Sequence, residues 1–317
     1  MTTTTRRAKT RRATSTATPA QRADWSAARD ARLTELHEQV TAGVAALADS
    51  DAWRAMLNTA RRFHRYSLGN LLLIGAQRPE ATQVAGFGTW KALGRQVRKG
   101  ERGVSILAPC PIRTTNDTDT GGGDVGGEAP AARLRWKVAT VFDVAQTDGD
   151  PIATPADLVT LPQGDLPPGL WDGLAAQVAA HGYTLERGDC GTARGFTNPT
   201  TMVVRVTGEQ VDAAATKTLA HELAHVVAGH VEDLPTYATC RGRCEIEAES
   251  IAYVVTGAQG LDTSAYSFGY VAVWADGHPD QVRDTAATVI RCARTILDQL
   301  ATEADTDNDT EADTGGE

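Results

Sequence analysis

The sequence has no run approaching the roughly 18 consecutive apolar residues of a membrane-crossing helix. Its N-terminus has no hydrophobic stretch of the kind that directs secretion. A cytoplasmic protein with no membrane partner is therefore the expectation. The five cysteines are odd in number and lack a repeating spacing, which argues against a disulfide framework and for reduced thiols. A positive overall charge is also missing. The net charge of -9 and pI near 5.3 exclude a uniformly basic nucleic-acid binder. At 317 residues there is room for two domains of ordinary size.

What is present is an uneven distribution of charge. Residues 1–24 read as a disordered basic arm, because Arg6, Arg7, Lys9, Arg11 and Arg12 come before any acidic residue. From Ala52 to Ile112 ten basic residues face only Glu80 and Glu101, an excess of about +8. Phe63, Tyr66, Phe87 and Trp90 are interleaved with these charges. Such a mixture can neutralise phosphates and stack on unpaired bases. It can equally be a core with a solvated face. Residues 301–317 hold seven acidic residues and no basic one, and read as a disordered acidic tail.

The elements alternate between helix and strand and predict an α+β chain in two domains. Residues 25–150 form the first. Helices are expected over 22–48, from an Asp51 cap onward, and over the apolar stretch that ends near Arg78-Pro79. Strands Val104–Ala108 and Trp136–Phe142 should pair across a flexible Gly/Asp-rich insertion, 114–130. Residues 151–300 form the second domain, mainly helical with a small sheet.

The sharpest signal is His221-Glu222-Leu223-Ala224-His225. On a helix, residues four apart share a face, so two imidazoles can reach one metal ion. Glu222 lies about a hundred degrees round the helix, where it can reach a water rather than the metal. Two ordinary surface histidines would not sit among Leu219, Leu223, Val226 and Val227. A zinc ion, Zn2+, needs a third protein ligand. Glu245 and Glu249 share a face of a second predicted helix. Glu245 is the preferred ligand and Glu249 the residue that orients a histidine, with the reverse as the alternative. Glu247 points away as a solvated charge. Cys244 is a weaker candidate ligand, as is a Cys240/Cys244 pair.

Two stretches resemble a known family. Tyr66-Ser67-x-x-Asn70, Gly86-Phe87-x-x-Trp90, Gly94-Arg95-x-Val97-x-Lys99-Gly100-Glu101-x-Gly103 and Val141-Phe142-Asp143-Val144-x-Gln146-Thr147 look like the N-terminal single-stranded-DNA-binding domain of ArdC-like antirestriction proteins. The metal half resembles the zincin domain that follows it, related to ImmA/IrrE peptidases. There Glu245-x-x-Ala248-Glu249-x-Ile251-Ala252 is similar to an E-x-x-A-N-x-F-A segment, with Glu249 matching the ArdC type. The resemblance implies an α+β single-stranded-DNA-binding domain followed by a zincin-like metallopeptidase domain. Arg62, Arg65, Tyr66, Asn70, Trp90, Lys91, Arg95, Arg98, Lys99 and Arg102 are then the residues expected on DNA.

The chemistry expected is peptide-bond hydrolysis by a zinc-activated water, with Glu222 as general base. Tyr237, Tyr253, His230 and His278 are candidates to stabilise the oxyanion. The expected partners are single-stranded DNA and an unidentified protein substrate, in an antirestriction, mobile-element or stress setting. Two alternatives remain. One is a non-catalytic protein that shields single strands and carries a structural or vestigial metal domain. The other is an ImmA-type regulator that inactivates a repressor.

Overall fold

A computed structural model of the chain describes residues 18–111, 134–151, 166–208, 211–232, 234–261 and 279–312. The expected insertion at 114–130, and His278, lie outside these residues. Helix α1 spans Pro19–Ala46, α2 Ser50–Phe63 and α3 Leu68–Gln77. The expected arm at 1–24 is thus cut short. Thr18 and Gln21 form a reciprocal capping box and Pro19 opens the helix, which starts α1 before residue 24. Asp49, not Asp51, caps α2, accepting from the backbone N–H of Asp51 and Ala52. Trp53, Met56, Leu57, Ala60 and Phe63 then recur at helical spacing and form its buried stripe.

Strand β1 (Val84–Gly86), helix α4 (Phe87–Ala92) and strand β2 (Gln96–Val97) follow. Strands β3 (Val104–Pro111) and β4 (Leu134–Asp143) pair, as expected, and the pairing is antiparallel with Val104 opposite Val141. The sheet order is β1-β4-β3. The outer edge of β3 is occupied by side chains of α3. The Asn70 amide bonds both the N–H and the C=O of Leu107, each at 2.9 Å. Gln77 does the same for Ser105. An edge strand so covered cannot pair with another chain there. Asp143 accepts from Thr82 and Gln83 and, with Gln146, caps the short turn Val144–Gln146. Strand β5 (Thr147–Asp148) then pairs with β2.

The remaining elements are α5 (Leu170–Ala180), β6 (Thr184–Arg187), β7 (Gly195–Asn198), β8 (Val203–Val206), α6 (Ala213–Val227), α7 (Leu234–Ala258) and α8 (Pro279–Ala312). The second sheet has the order β6-β8-β7, with β6 parallel and β7 antiparallel to β8. Helix α8 continues to Ala312, so the backbone at 301–312 is helical where a disordered tail is expected.

The two halves share one core. Trp53 Nε1 donates to Ser250 Oγ at 3.0 Å, and Tyr253 donates to Asn58 Oδ1 at 2.7 Å. Arg61 donates to the carbonyl of Gly257, and a Cβ at Gly257 would overlap the Arg61 guanidinium. Arg294 of α8 donates to the carbonyl of His64. The expected border near residue 150 therefore runs through a common core rather than between two cores.

Candidate metal centre

The centre is built on α6 and α7. Asp212 caps α6 by accepting from Ala215 N–H at 2.8 Å. The helix is apolar on the face that meets the core, with Leu219, Leu223 and Ala224 fully buried. It ends where Gly229 takes a left-handed φ of 76°. His221 and His225 sit one turn apart on it. Helix α7 bends at Cys240, whose backbone is not helical, and then carries Glu245 and Glu249 past both imidazoles.

One nitrogen of each histidine and one oxygen of Glu245 converge within 4.8 Å. His221 Nε2 and His225 Nε2 are 3.1 Å apart. Glu245 Oε2 lies 3.4 Å from the first and 3.8 Å from the second. Ligand atoms about 2.0–2.2 Å from a tetrahedral zinc ion would stand roughly 3.3–3.6 Å from one another. The donor set and its spacing therefore fit such an ion. Glu249 Oε2 is 3.2 Å from His221 Nδ1, the nitrogen that faces away from the triad. Glu245 Oε2 thus stands on the side of the two Nε2 atoms where a third donor is needed, and Glu249 bonds the far nitrogen of His221.

The electrostatics favour a cation. Burial opposes the charged form of His221, but hydrogen bonds with Glu245 and Glu249 outweigh it and hold its pKa up at about 9. Hydrogen bonds from His221 and His225 keep the Glu245 carboxyl well below the usual carboxylate range. Burial pushes the His225 pKa down. Burial also pushes the Glu222 pKa up, partly countered by a hydrogen bond from Thr197.

That bond is 2.8 Å long, from Thr197 Oγ1 to Glu222 Oε2. Thr197 lies on β7, which runs close to α6 because Gly195 has no side chain. A Cβ there would stand 2.6 Å from Thr218, 3.0 Å from the Arg205 carbonyl and 3.1 Å from Glu222 Oε1. Neither Thr197 nor Gly195 is nominated by the sequence pattern. A glycine inside a strand, which often marks close backbone approach, was the available signal. His221 and Glu222 open onto a cavity of about 530 Å³ with Arg194 and Lys217 also in its wall.

The other nominated residues separate. Tyr237 donates to Glu245 Oε1 at 2.6 Å and stands beside the triad. Tyr253 is bonded to Asn58, away from it. His230 lies behind His225, its Nδ1 3.0 Å from His225 Nδ1. Glu247 is not a solvated charge. It is buried and 2.8 Å from His230 Nε2, because the turn after Gly229 folds His230 back onto α7. Cys244 is buried outside the triad, and burial pushes its thiol up to about 11.

In the basic region, most nominated side chains are already engaged. Trp90 is 1 % exposed and its Nε1 donates to the Phe142 carbonyl, so it is core and cannot stack on a base. Asn70 is committed to β3. Arg62 donates to the carbonyls of Ala81, Pro79 and Asn58. Arg95 donates to Thr147, Gly149 and Asp150. Arg98 pairs with Glu101 at 2.8 Å and Asp148 at 3.4 Å, and Arg65 with Asp298 at 3.4 Å. Tyr66 is half-buried against Phe63. Lys91, Lys99 and Arg102 remain exposed and form no ion pair among the described residues. Phe87, 53 % exposed, is the accessible aromatic, one helical turn before Lys91 on α4. No helix among the described residues is long and apolar enough to cross a membrane.

An uncharacterised Bacillus anthracis protein is 26% identical over 302 residues, covering 78% of this chain and 49% of that protein. An uncharacterised Sinorhizobium fredii protein is 30% identical over 151 residues, covering 42% of this chain and 47% of that protein. The chain spans about half the length of these curated relatives. Among solved structures, the metal-free antirestriction protein ArdC from plasmid R388 aligns with TM-score 0.47 and 22% identity over 76% of this chain and 84% of that one. Its Mn(II)-bound form aligns with TM-score 0.44 over 75% and 83%. Residues 28–142, from α1 through β4, match the family described as the N-terminal domain of anti-restriction factor ArdC.

Proposed function

We propose that the chain is a zinc-dependent metallopeptidase that also holds single-stranded DNA, in an antirestriction role. The observation that carries the first part is the convergence of His221, His225 and Glu245 beside a Glu222 oriented by Thr197. A zinc ion held by the three would polarise a scissile carbonyl and bring the pKa of a water in its shell to about 7. Glu222 takes up the water's proton on its carboxylate and returns it to the leaving amine. The raised proton affinity that burial gives Glu222 suits both halves of that transfer. The Tyr237 hydroxyl is the nearby donor for the developing oxyanion. Strand β7 pairs only with β8 among the described strands, so its other edge can hold an extended peptide beside the cavity.

For DNA, the supporting observation is Phe87 standing out beside Lys91, with Lys99 and Arg102 also exposed. Aromatic stacking and phosphate neutralisation together hold unpaired strands without reading sequence. The test is a cleavage assay on unfolded protein substrates, using metal-loaded full-length chain with and without single-stranded DNA. Glu222→Gln should retain about one metal per chain and lose hydrolysis by about 10²–10⁴-fold. Unchanged turnover in that variant would remove Glu222 as base. Reversing Lys91, Lys99 and Arg102 to Glu should flatten the salt dependence of DNA binding by about 0.7 in log-log slope for each phosphate no longer neutralised.

A further inference from the structure

Behind the metal centre lies a buried polar chain that the hydrolytic reading leaves unused. His225 Nδ1 is 3.0 Å from His230 Nδ1, and His230 Nε2 is 2.8 Å from Glu247 Oε2. The His225, His230 and Glu247 side chains are only 6%, 6% and 7% exposed. Buried polar groups of this kind persist when each has a partner. Glu247 has two, since Arg243 Nε also stands 3.7 Å from its Oε1. The chain ends at a second cavity, of about 240 Å³, which has no lining residue in common with the one at Glu222.

We infer that His230 and Glu247 are positioning residues for the metal ligand His225, fixing which of its nitrogens is free to bind. The inference rests on the metal centre proposed above. A carboxylate accepts hydrogen bonds and cannot donate, so His230 Nε2 carries the hydrogen that meets Glu247. A neutral imidazole has one N–H, so His230 Nδ1 is left as an acceptor. The facing His225 Nδ1 must then donate, which strips the hydrogen from His225 Nε2. That nitrogen is the one turned toward His221 Nε2 and Glu245. His221 is prepared by a shorter route, with Nδ1 donating directly to Glu249 Oε2. The two ligands thus receive the same tautomer from two carboxylates, one direct and one relayed through a second imidazole.

The test uses the full-length chain stripped of metal and titrated with Zn2+ against a chromophoric chelator. The double variant His230→Phe, Glu247→Leu keeps the volume of the relay and strands neither an unpaired His230 nor an unpaired Glu247, while the guanidinium of Arg243, whose side chain is 42% exposed, can turn to solvent. It should fold and bind Zn2+ about 10–100-fold more weakly. Glu247→Gln, whose amide oxygen still accepts from His230, should lose less. A folded double variant that binds as tightly as the parent overturns the relay. A second measurement needs no variant: long-range 1H–15N correlation of the histidine rings in the parent. It should place a hydrogen on Nδ1 of His225 and on Nε2 of His230, with and without Zn2+. A hydrogen on His230 Nδ1 instead overturns the assignment. A parent chain that binds no Zn2+ removes the metal centre itself, and the titration shows this before any variant is made.

Discussion

At the candidate metal centre, His221, His225 and Glu245 turn their donor atoms toward one another. In the basic segment, Arg62, Arg95 and Arg98 turn theirs onto the chain's own carbonyls and carboxylates. Both regions are dense in ionisable groups, yet only the first points its lone pairs at one common position. A guanidinium has five donors in a fixed fork and finds backbone acceptors readily when it lies near a turn. An ammonium on a long stem, as on Lys91 and Lys99, stays in solvent. An excess of charge therefore measures how much cation a segment contains, and not how much of it a phosphate can reach.

The largest expected contrast is between the two glutamates of α7. Glu245→Ala removes a ligand and should weaken Zn2+ binding by more than about 100-fold. Glu249→Ala removes only the partner of His221 Nδ1 and should cost about 10–100-fold. Chelator competition on both variants measures this, and the opposite order would exchange their roles.

A smaller effect separates the two aromatics of the basic region. Trp90→Ala should destabilise the fold by about 3–5 kcal/mol in denaturant titration. Phe87→Ala should leave the midpoint nearly unchanged and weaken binding to single-stranded DNA by about 1–3 kcal/mol per stacked base. A destabilised Phe87 variant, or a stable Trp90 variant with weakened DNA binding, would reverse the assignment.

The finest test is the response of the metal centre to pH. Without metal, His221 titrates at about 9, above its ordinary 6.5. The stability this adds is complete below about 6.5 and is lost as pH rises through about 9. Metal must displace the same proton, so Zn2+ affinity should rise about tenfold per pH unit across that window. Melting of the metal-free chain and Zn2+ affinity should thus move in opposite directions. A flat affinity from pH 6.5 to 9 would show that His221 is not the site of the displaced proton.

Local patterns are legible where one element carries the whole message. The i, i+4 spacing of His221 and His225 on an apolar helix puts both imidazoles on one face, and Glu245 and Glu249 share a face by the same spacing. The pairing of β3 with β4 follows from two alternating apolar runs, although the residues between them lie outside those described. Trp90 is not legible, because an aromatic among basic residues looks the same in sequence whether it is core or surface. Only the carbonyl of Phe142, 52 positions away, accepts its N–H and places it inside. Glu247 escapes for a related reason. Its neighbours Glu245 and Glu249 face the histidine side of α7, and helical phase turns it away from them, but the turn at Gly229 brings His230 round to meet it.

By itself, then, the sequence determined which side chains can act as metal ligands and base, and that an excess of cations lies between Ala52 and Ile112. Those properties depend on residue identity and on the 3.6-residue turn, both of which are local. The tertiary structure alone decided which ligand atoms meet, that Thr197 and Gly195 set the orientation of Glu222, and which cations stay available. It also decided that the two halves share a core through Trp53 and Ser250. These depend on contacts between residues far apart in the chain, and no periodicity in the sequence encodes a contact of that kind.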